Sequence, residues 1–589
     1  MDEAFDLLRF LPTSAKEVKL RGWDGLDIIL FSGDAYVDHP SFGMALLGRL
    51  LLHKGYRVAL VPQPNWRDDL RDFKKLGSPR LFFGVGSGSM DSMMNHYTAA
   101  RRLRSEDAYT PDGRAGSRPD YAVTVYCRIL KELYPEVPLI IGGIEASLRR
   151  FTHYDYWKDE LKPSVLVESG ADMLVWGMGE NPLLEIARGL EEGVPLSQMR
   201  DIPQTAYCLS SSEKYLTGFT DRKTIRLNGY NKCLKDSRYF AEDFVQIEED
   251  SNRKTGSVLI EPYGDKVVVV NPSRLSSVEE EMDLWYDLPF TRLPHPRYKG
   301  KRIPAYEMIR FSVTAHRGCF GGCSFCTISA HQGKFVVSRT EASILSEVAQ
   351  IARMEDFRGY ISDIGGPSAN MYGMQGKDLR LCHACKRPSC LFPLRCKNLD
   401  AGHGRLLRLY REARSIQGVK KIFIGSGIRY DLFLTPIGEF NTPVEREWFR
   451  DLLRYHVSGR LKVAPEHTSP RVLHHMRKPP FNYFRHLYRL FNQENTRENL
   501  REQVVPYFIS SHPGCTLQDM KDLAAEVCRL NLHLEQVQDF TPTPMTLSSV
   551  MYYTGKDPYS GSALYVPRSK EEKQAQKQYF FPKGKGLKG

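Results

Sequence analysis

Three cysteines with C-x3-C-x2-C spacing, Cys319, Cys323 and Cys326, constrain this chain more than any other feature. A cubane [4Fe–4S] cluster is normally held by four cysteine thiolates. Three thiolates leave one iron open, and an open metal position is typical of a catalytic site. Glycine precedes the first cysteine and two more glycines separate it from the second, which lets the backbone approach a cluster closely. The motif therefore predicts a catalytic iron–sulfur loop.

A zinc site is the alternative interpretation of these three cysteines. Structural zinc takes four ligands, usually from C-x2-C pairs, and His316 or His331 could supply the fourth. The x3 spacing and the glycines fit zinc less well. Because Phe325 precedes the third cysteine, the pattern is C-x3-C-x-aromatic-C. This pattern resembles the hallmark of the radical S-adenosylmethionine (SAM) superfamily.

The resemblance implies a [4Fe–4S] cluster on the three cysteines, with SAM chelating the open iron. One electron from a reductant such as a flavodoxin or ferredoxin would cleave SAM to methionine and a 5′-deoxyadenosyl radical. The cofactor supplies the difficult step, while the protein positions the substrate and excludes water. The catalytic residues are unknown at this stage, and the sequence does not identify the substrate.

Length and cysteine usage indicate a large intracellular protein. The 589 residues leave room for three or four domains of about 150 residues. Seven of the twelve cysteines are clustered, which favours metal binding in a reducing compartment over disulfides. The N-terminus lacks the apolar core of a signal peptide, and no run reaches the roughly 18 apolar residues of a membrane span. We expect a cytoplasmic protein with no membrane contact.

The first domain is predicted to cover residues 1–210 and to have an α/β fold. Apolar runs alternate there with helical patterns, with strands predicted at residues 27–31, 56–61, 81–85, 138–141 and 171–176. This alternation is typical of a parallel, doubly wound sheet. The order is similar to the Rossmann-like, cobalamin-binding-type domain found ahead of many radical SAM barrels.

Two local patterns in this domain concern ligands. The cobalt-ligating motif of the cobalamin family is D-x-H-x-x-G, whereas Asp38 and His39 are adjacent here and Gly43 follows four residues later. We therefore expect that the domain does not bind cobalamin. The glycine run at positions 84, 86 and 88 follows a strand and could cradle a phosphate, although a tight turn explains it equally well.

Residues 211–303 are interpreted as a hairpin-containing linker region. Strands are predicted at 257–260 and 266–270, separated by a Gly-Asp turn. An acidic run and several prolines follow, which are typical of a connecting segment.

Six strand–helix units are predicted between residues 304 and 545. Their strands are expected at residues 309–315, 360–364, 421–426, 461–464, 504–510 and 534–540. Reactive groups in parallel α/β barrels lie at the C-terminal ends of the strands, and the cysteine loop follows the first strand. With the resemblance, this order implies a partial (β/α)6 radical SAM barrel. Residues 546–589 are predicted to be a C-terminal extension with a basic, disordered tail.

Other predicted strand ends carry candidate SAM ligands. Gly365 and Gly366 resemble the family's Gly-Gly-Glu-type motif, whose bare strand edge bonds the amino group of SAM, although a proline replaces the glutamate here. Ser426 and Arg429 could meet the SAM carboxylate, and Glu466 could bond a ribose hydroxyl. Ordinary hydrogen bonds within loops explain the same side chains equally well.

A second cysteine group lies in a predicted insertion, residues 372–404. Cys382, Cys385, Cys390 and Cys396 follow one another within 15 residues, and four thiols in so short a span predict a metal site. The C-x2-C start favours zinc, whereas an auxiliary iron–sulfur cluster suits an enzyme that already holds one. Both interpretations stay open.

Taken together, the domain order, the cysteine loop and the Pro-Gly-Cys sequence at 513–515 resemble the YgiQ-type radical SAM proteins. The resemblance implies an enzyme, for which modification of RNA or protein is the more concrete reaction class. A net charge of +12 permits a polyanionic partner without requiring one. The alternative function is a zinc-stabilised nucleic-acid-binding protein without catalysis.

Overall fold

The computed structural model describes residues 3–211, 223–274 and 278–580. The chain forms two compact units. The first comprises Met1–Leu275 with Leu284–Arg310, and the second Ser276–Asp283 with Phe311–Gly589. The division therefore falls a few residues beyond the predicted start of the second domain at residue 304.

A nine-stranded sheet forms the centre of the first unit. Its spatial order is Val58–Pro62, Ile28–Ser32, Phe82–Gly86, Leu139–Gly142, Met173–Val175, Thr205–Ser210, Lys266–Val270, Val258–Tyr263 and Thr224–Arg226. The first five strands are parallel, and all five lie at the predicted positions. Continuous burial of the strand Ile28–Ser32 fits a sheet that is covered on both faces.

Helices connect the parallel strands of this sheet, as the alternating pattern predicts. The helices of the first unit are Glu3–Leu8, Ala15–Leu20, Gly43–His53, Arg71–Lys74, Ser92–His96, Ala122–Leu133, Gly143–Leu148, Val165–Ser169, Glu180–Glu191, Tyr230–Lys235, Ser237–Ser251 and Pro304–Ile309. Leu46, Leu50 and Leu51 of Gly43–His53 are buried, because an amphipathic helix is stable here only when it covers the sheet.

The predicted hairpin is present, but its interpretation as a linker is wrong. Val258–Tyr263 and Lys266–Val270 pair antiparallel, and Lys266–Val270 also pairs with Thr205–Ser210. The hairpin therefore continues the sheet of the first unit. The physical reason is burial, since the four consecutive valines from 267 to 270 are at most 2% exposed. In a free linker these apolar side chains would be exposed to solvent.

Short parallel ladders dominate the second unit. Its strands at the predicted positions are Ser312–Thr314, Tyr360–Ile361 with Asp363–Gly365, Lys421–Ile422, Arg460–Glu466, Gln503–Ser510 and Val537–Asp539. Their recorded pairings with one another are all parallel. The first strand is shorter than expected because Ile309, predicted to start it, is the last residue of the helix Pro304–Ile309, which has proline in its first turn.

Helices alternate with these strands along the chain. The longer ones are Glu341–Ala352, Gly404–Ser415, Pro443–Asp451, Asn482–Arg497, Leu517–Arg529, Leu547–Thr554 and Lys570–Lys577. Their apolar faces contribute to one large core that includes Ile344, Leu409 and Trp448. In the described part of the chain, every helix is too short or too polar to traverse a bilayer.

The prediction of a disordered tail is wrong for Lys570–Lys577. Ser569 and Glu572 form a capping box at the start of this helix. The side chain of Gln576 is only 1% exposed, so the helix is fixed by a buried amide that composition does not reveal. Residues 581–589 of the predicted tail lie outside the described residues.

Candidate functional site

The three cysteines of the C-x3-C-x2-C motif lie on a loop that begins shortly after the strand Ser312–Thr314. All three are partly buried. Burial, together with the neighbouring Cys323 and Cys319 thiols, raises the pKa of the Cys326 thiol to about 12. The thiols thus interact with one another electrostatically, and their binding of one cluster stays a prediction.

Two glycines of the loop allow no side chain. A Cβ at Gly321 would lie 3.3 Å from the Cys319 sulfur and would collide with the Arg429 guanidinium. Gly322 has a φ of +61°, and a Cβ there would collide with the carbonyl of Pro388. Glycine is therefore required both for the turn and for the close approach of neighbouring groups to the thiols.

Arg429 brings positive charge to the thiol loop. Its Nη1 donates to Cys323 Sγ at 3.5 Å, and its Nη2 lies 2.6 Å from Asp431 Oδ2. Burial lowers the pKa of Arg429, but Asp431 and the thiols of Cys323 and Cys319 raise it well above its usual value. The Asn370 amide fixes the Arg429 backbone with two hydrogen bonds, of 2.8 and 2.9 Å. The predicted contact between Arg429 and the SAM carboxylate stays a prediction.

Gly365 and Ser426 are brought together by a residue that the sequence reasoning missed. Asp363 Oδ2 accepts from Ser426 Oγ at 2.8 Å, and its Oδ1 accepts from the backbone of Gly425 at 2.9 Å. A Cβ at Gly365 would collide with the Ser426 hydroxyl. Asp363 thus clamps the two strand ends whose bare edge was predicted to face SAM.

Gly366 packs against His316, one of the two histidines considered as a fourth ligand. A Cβ at Gly366 would lie 2.6 Å from the His316 ring. Burial lowers the pKa of His316 to about 4, so the ring is neutral at physiological pH.

Glu466 ends the strand Arg460–Glu466 in a left-handed conformation, with a φ of +66°. Its Oε1 lies 3.6 Å from Lys478 Nζ. Burial raises the pKa of Glu466, whereas Lys478 and Arg429 lower it. Glu466 also contributes to the raised pKa of Cys326, and its predicted bond to a ribose hydroxyl stays a prediction.

A hydrogen-bonded chain from the C-terminal extension supports the loop between the second and third cysteines. Ser548 Oγ lies 2.8 Å from Ser324 Oγ and 2.7 Å from His512 Nε2. The Ser548 backbone also donates to the Ser324 carbonyl at 2.9 Å. Burial lowers the pKa of His512 to about 3, which keeps its ring neutral. Isolated serines carry no sequence signal, so this support is visible only in the structure.

The second cysteine group lies directly against the first loop. The backbone of Cys390 donates to the Phe320 carbonyl at 3.0 Å, and Ser389 Oγ donates to the Gly321 carbonyl at 2.7 Å. Phe320, Met371 and Met374 form a small apolar cluster, and cysteines of both groups pack against it. The two predicted metal sites are therefore neighbours.

Neither cysteine group is a finished ligand shell. None of the twelve cysteines, all of which fall within the described residues, is in a disulfide. Across residues 3–211, 223–274 and 278–580, no three His, Cys, Asp or Glu side chains converge as metal ligands. The thiols are held near one another by the backbone and by shared neighbours.

The ligand patterns predicted in the first unit are engaged in internal contacts. Asp38 accepts from Arg49 Nε at 2.8 Å, and His39 is fully buried, with Nε2 2.7 Å from Arg292 Nη2 and Nδ1 accepting from the backbone of Ser41. At the predicted phosphate cradle, a Cβ at Gly88 would collide with the Asp34 carboxylate. An acidic group at that position disfavours phosphate, so the tight-turn interpretation of this glycine run, in which Gly88 has a φ of +106°, fits better.

Fold and site together define a mixed α/β protein in which a large, mainly parallel sheet precedes a three-thiol loop at a strand end. A family model described as "Radical SAM N-terminal" matches residues 10–312, and a domain of unknown function matches residues 535–581. The first match coincides closely with the first compact unit and ends before the cysteine loop.

Close relatives extend over almost the whole chain. The UPF0313 protein of Bacteroides thetaiotaomicron is 56% identical over 98% of this chain and 94% of its own length. That of Porphyromonas gingivalis is 57% identical over 98% and 90%. The UPF0313 protein YgiQ of Escherichia coli K12 is 41% identical over 96% and 83%. The chain belongs to the UPF0313 (YgiQ) family, which confirms the resemblance predicted from the sequence.

Two of the similar solved structures hold cobalamin, contrary to the expectation for this chain. One is the radical SAM methyltransferase TsrM from Kitasatospora setae with cobalamin and a [4Fe–4S] cluster bound, at 16% identity and a TM-score of 0.46 over 88% of this chain and 74% of that one. Another is the cobalamin-dependent OxsB with aqua-cobalamin bound, at 10% identity and 0.48 over 93% and 60%. The prediction that cobalamin does not bind conflicts with these neighbours and is withdrawn. It rested on the spacing of one candidate cobalt ligand, and a protein can hold a large cofactor through many other contacts.

Proposed function

We propose that this protein is a radical SAM enzyme that holds a [4Fe–4S] cluster on Cys319, Cys323 and Cys326. The observation that supports this most directly is the thiol loop itself. The three cysteines lie on a glycine-dependent turn, and a buried guanidinium donates to one of their sulfurs. The donor set fits the group, because cysteine thiolates are the usual ligands of such clusters.

When bound, the cluster and SAM supply reductive cleavage of the sulfonium, which yields methionine and a 5′-deoxyadenosyl radical. The residues of this chain bind and orient. Arg429 offsets thiolate charge through its hydrogen bond to Cys323. The bare edge at Gly365 and Gly366 and the Ser426 hydroxyl are proposed to meet the amino acid part of SAM. Glu466 is proposed to accept from a ribose hydroxyl.

The parallel strands of the second unit are proposed to form a partial (β/α)6 barrel around this site. Its electron donor would be a one-electron protein reductant such as a flavodoxin or ferredoxin. RNA or protein is the substrate class we propose, because a basic chain of pI about 9.0 favours contact with acidic surfaces.

The test is anaerobic reconstitution with iron and sulfide, followed by SAM and dithionite and an assay for 5′-deoxyadenosine. We expect about four irons and four sulfides at this site, with 5′-deoxyadenosine formed by the wild type and absent in Cys323→Ala. Cys528→Ala is the matched control, because Cys528 is exposed and lies outside both cysteine groups. A wild type that forms no iron–sulfur cluster and binds only zinc would favour the nucleic-acid-binding alternative.

A further inference from the structure

The insertion that carries Cys382, Cys385, Cys390 and Cys396 has little apolar core of its own. A two-residue antiparallel ladder, Gln375–Gly376 with Leu399–Asp400, closes its base. Leu381 and Leu394 are 66% and 77% exposed. So short a segment cannot be ordered by apolar burial alone, and small modules of this kind normally need disulfides or a metal.

Backbone hydrogen bonds hold the four cysteines as two pairs. The N–H of Cys385 lies 3.4 Å from the Cys382 carbonyl, and the N–H of Cys396 donates to the Cys390 carbonyl at 2.7 Å. The two pairs are linked through Asn398, two residues beyond Cys396, because its side-chain amide contacts the Cys382 sulfur.

Donors are placed on the sulfurs of the first pair. Lys334 Nζ lies 3.7 Å from Cys385 Sγ and 2.8 Å from the Arg387 carbonyl. Asn398 Nδ2 lies 3.5 Å from Cys382 Sγ. An ammonium and an amide that point at sulfur stabilise thiolates, the form in which cysteine binds metal.

The same insertion forms part of the wall of the cluster-binding loop. Ser389 and Cys390 bond the carbonyls of Gly321 and Phe320, and Pro388 occupies the space where a side chain at position 322 would lie. Anything that orders residues 388–390 therefore also fixes the backbone between Cys319 and Cys323.

We propose that Cys382, Cys385, Cys390 and Cys396 bind one tetrahedral Zn²⁺, and that this ion orders the insertion against the cluster-binding loop. Paired cysteines suit a single ion. Each sulfur lies about 2.3 Å from a bound zinc, so the four sulfurs are closer together than those around a cubane cluster. The zinc assignment stands without the proposed function, whereas the effect on the loop rests on it.

The first experiment measures zinc, iron and sulfide in full-length protein, purified without chelator and then reconstituted anaerobically. We expect about one zinc and four irons per chain in the wild type. Cys390→Ser/Cys396→Ser should lose the zinc, whereas Cys528→Ser should keep it. The triple variant Cys319→Ala/Cys323→Ala/Cys326→Ala should lose the iron and keep the zinc, which separates failure of this proposal from failure of the proposed function.

A second set of measurements uses only the wild type, so that the proposal can be tested even if the double cysteine variant does not fold. Wild-type protein from cells grown with Co²⁺ in place of zinc should show the visible absorption bands of tetrahedral cobalt–thiolate coordination. Zinc removal by a chelator should increase proteolytic cleavage within residues 375–400 and reduce subsequent iron incorporation at least twofold. About eight irons per chain with no zinc, zinc retained in the double variant, or an unchanged cleavage pattern after zinc removal would each overturn the proposal.

Discussion

At Arg429, one guanidinium contacts a carboxylate and a thiol at once. Asp431 accepts hydrogen bonds from Nε and Nη2 of Arg429, and Nη1 donates to Cys323 Sγ. Removing one partner of a buried, hydrogen-bonded charge pair leaves the other unpaired, which is strongly unfavourable. Asp431 therefore positions Arg429, and Arg429 offsets charge at the thiol loop. Sequence reasoning identified the arginine from its place at a strand end but not its carboxylate partner two residues later.

The Asp557 side chain makes a pH-dependent contact in the second unit. Interaction with His475, whose Nδ1 lies 3.8 Å from Asp557 Oδ2, lowers the pKa of Asp557 to about 2, and the backbone N–H groups of Tyr559 and Ser560 contribute. Because the pKa is lower in the folded than in the unfolded chain, this carboxylate stabilises the fold above pH 4 or so, and the contribution is lost as the pH falls towards 2.

We therefore predict that Asp557→Asn lowers the urea midpoint of unfolding at pH 7, and that its difference from the wild type narrows below about pH 4. Urea denaturation at pH 7, 5, 4 and 3 measures this difference. The control is Asp522→Asn, which changes an exposed aspartate on the helix Leu517–Arg529. A difference that stays constant over this pH range would contradict the assignment.

Among the elements, the helix Lys570–Lys577 differs most from its sequence-based prediction. Gln576 Oε1 accepts from the backbone of Ser511 at 2.7 Å, and its Nε2 donates to the Cys515 carbonyl at 2.8 Å. Ser511 has a φ of +63°. The helix thus fixes the strained loop that follows the strand Gln503–Ser510, and Cys515 of that loop is fully buried.

Gln576→Ala should lower the free energy of unfolding of the second unit by about 1–3 kcal/mol, because it leaves two buried backbone groups without partners. Gln574→Ala is the matched control, since it removes the same side chain from an exposed position of the same helix. Chemical denaturation followed by circular dichroism measures both. Equal losses in the two variants would show that the buried hydrogen bonds do not stabilise the loop.

At the scale of the whole molecule, the first unit extends well beyond the predicted boundary at residue 210. The hairpin strands join its sheet, and residues near 300 pack on its beginning. The Tyr298 hydroxyl accepts from the backbone of Tyr36 at 3.1 Å, and the His295 backbone donates to the Tyr36 carbonyl at 3.0 Å. The core of this unit therefore draws on segments more than 250 residues apart.

This organisation predicts which fragment folds. Residues 1–310 contain the whole first unit and should give a monodisperse protein with a cooperative thermal transition. Residues 1–210 leave Thr205–Ser210 as an exposed edge strand without its hairpin partner, and such edges promote aggregation. Size-exclusion chromatography and thermal melts of both fragments test this. A soluble 1–210 fragment with the same melting temperature would contradict it.

The sequence by itself determined the parallel strand positions and the spacing of the seven clustered cysteines, because strand periodicity and ligand spacing are local properties of the chain. It also determined family membership, through motifs that are contiguous. Only the tertiary structure decided that the hairpin belongs to the first sheet, that Asp363 clamps Ser426, and that Ser548 supports the loop at Ser324. Ser324 and Ser548 are 224 residues apart in the sequence. Such contacts depend on which surfaces pack together in the folded chain. Neither the period of hydrophobic residues nor the spacing of ligand residues predicts which distant segments will be in contact.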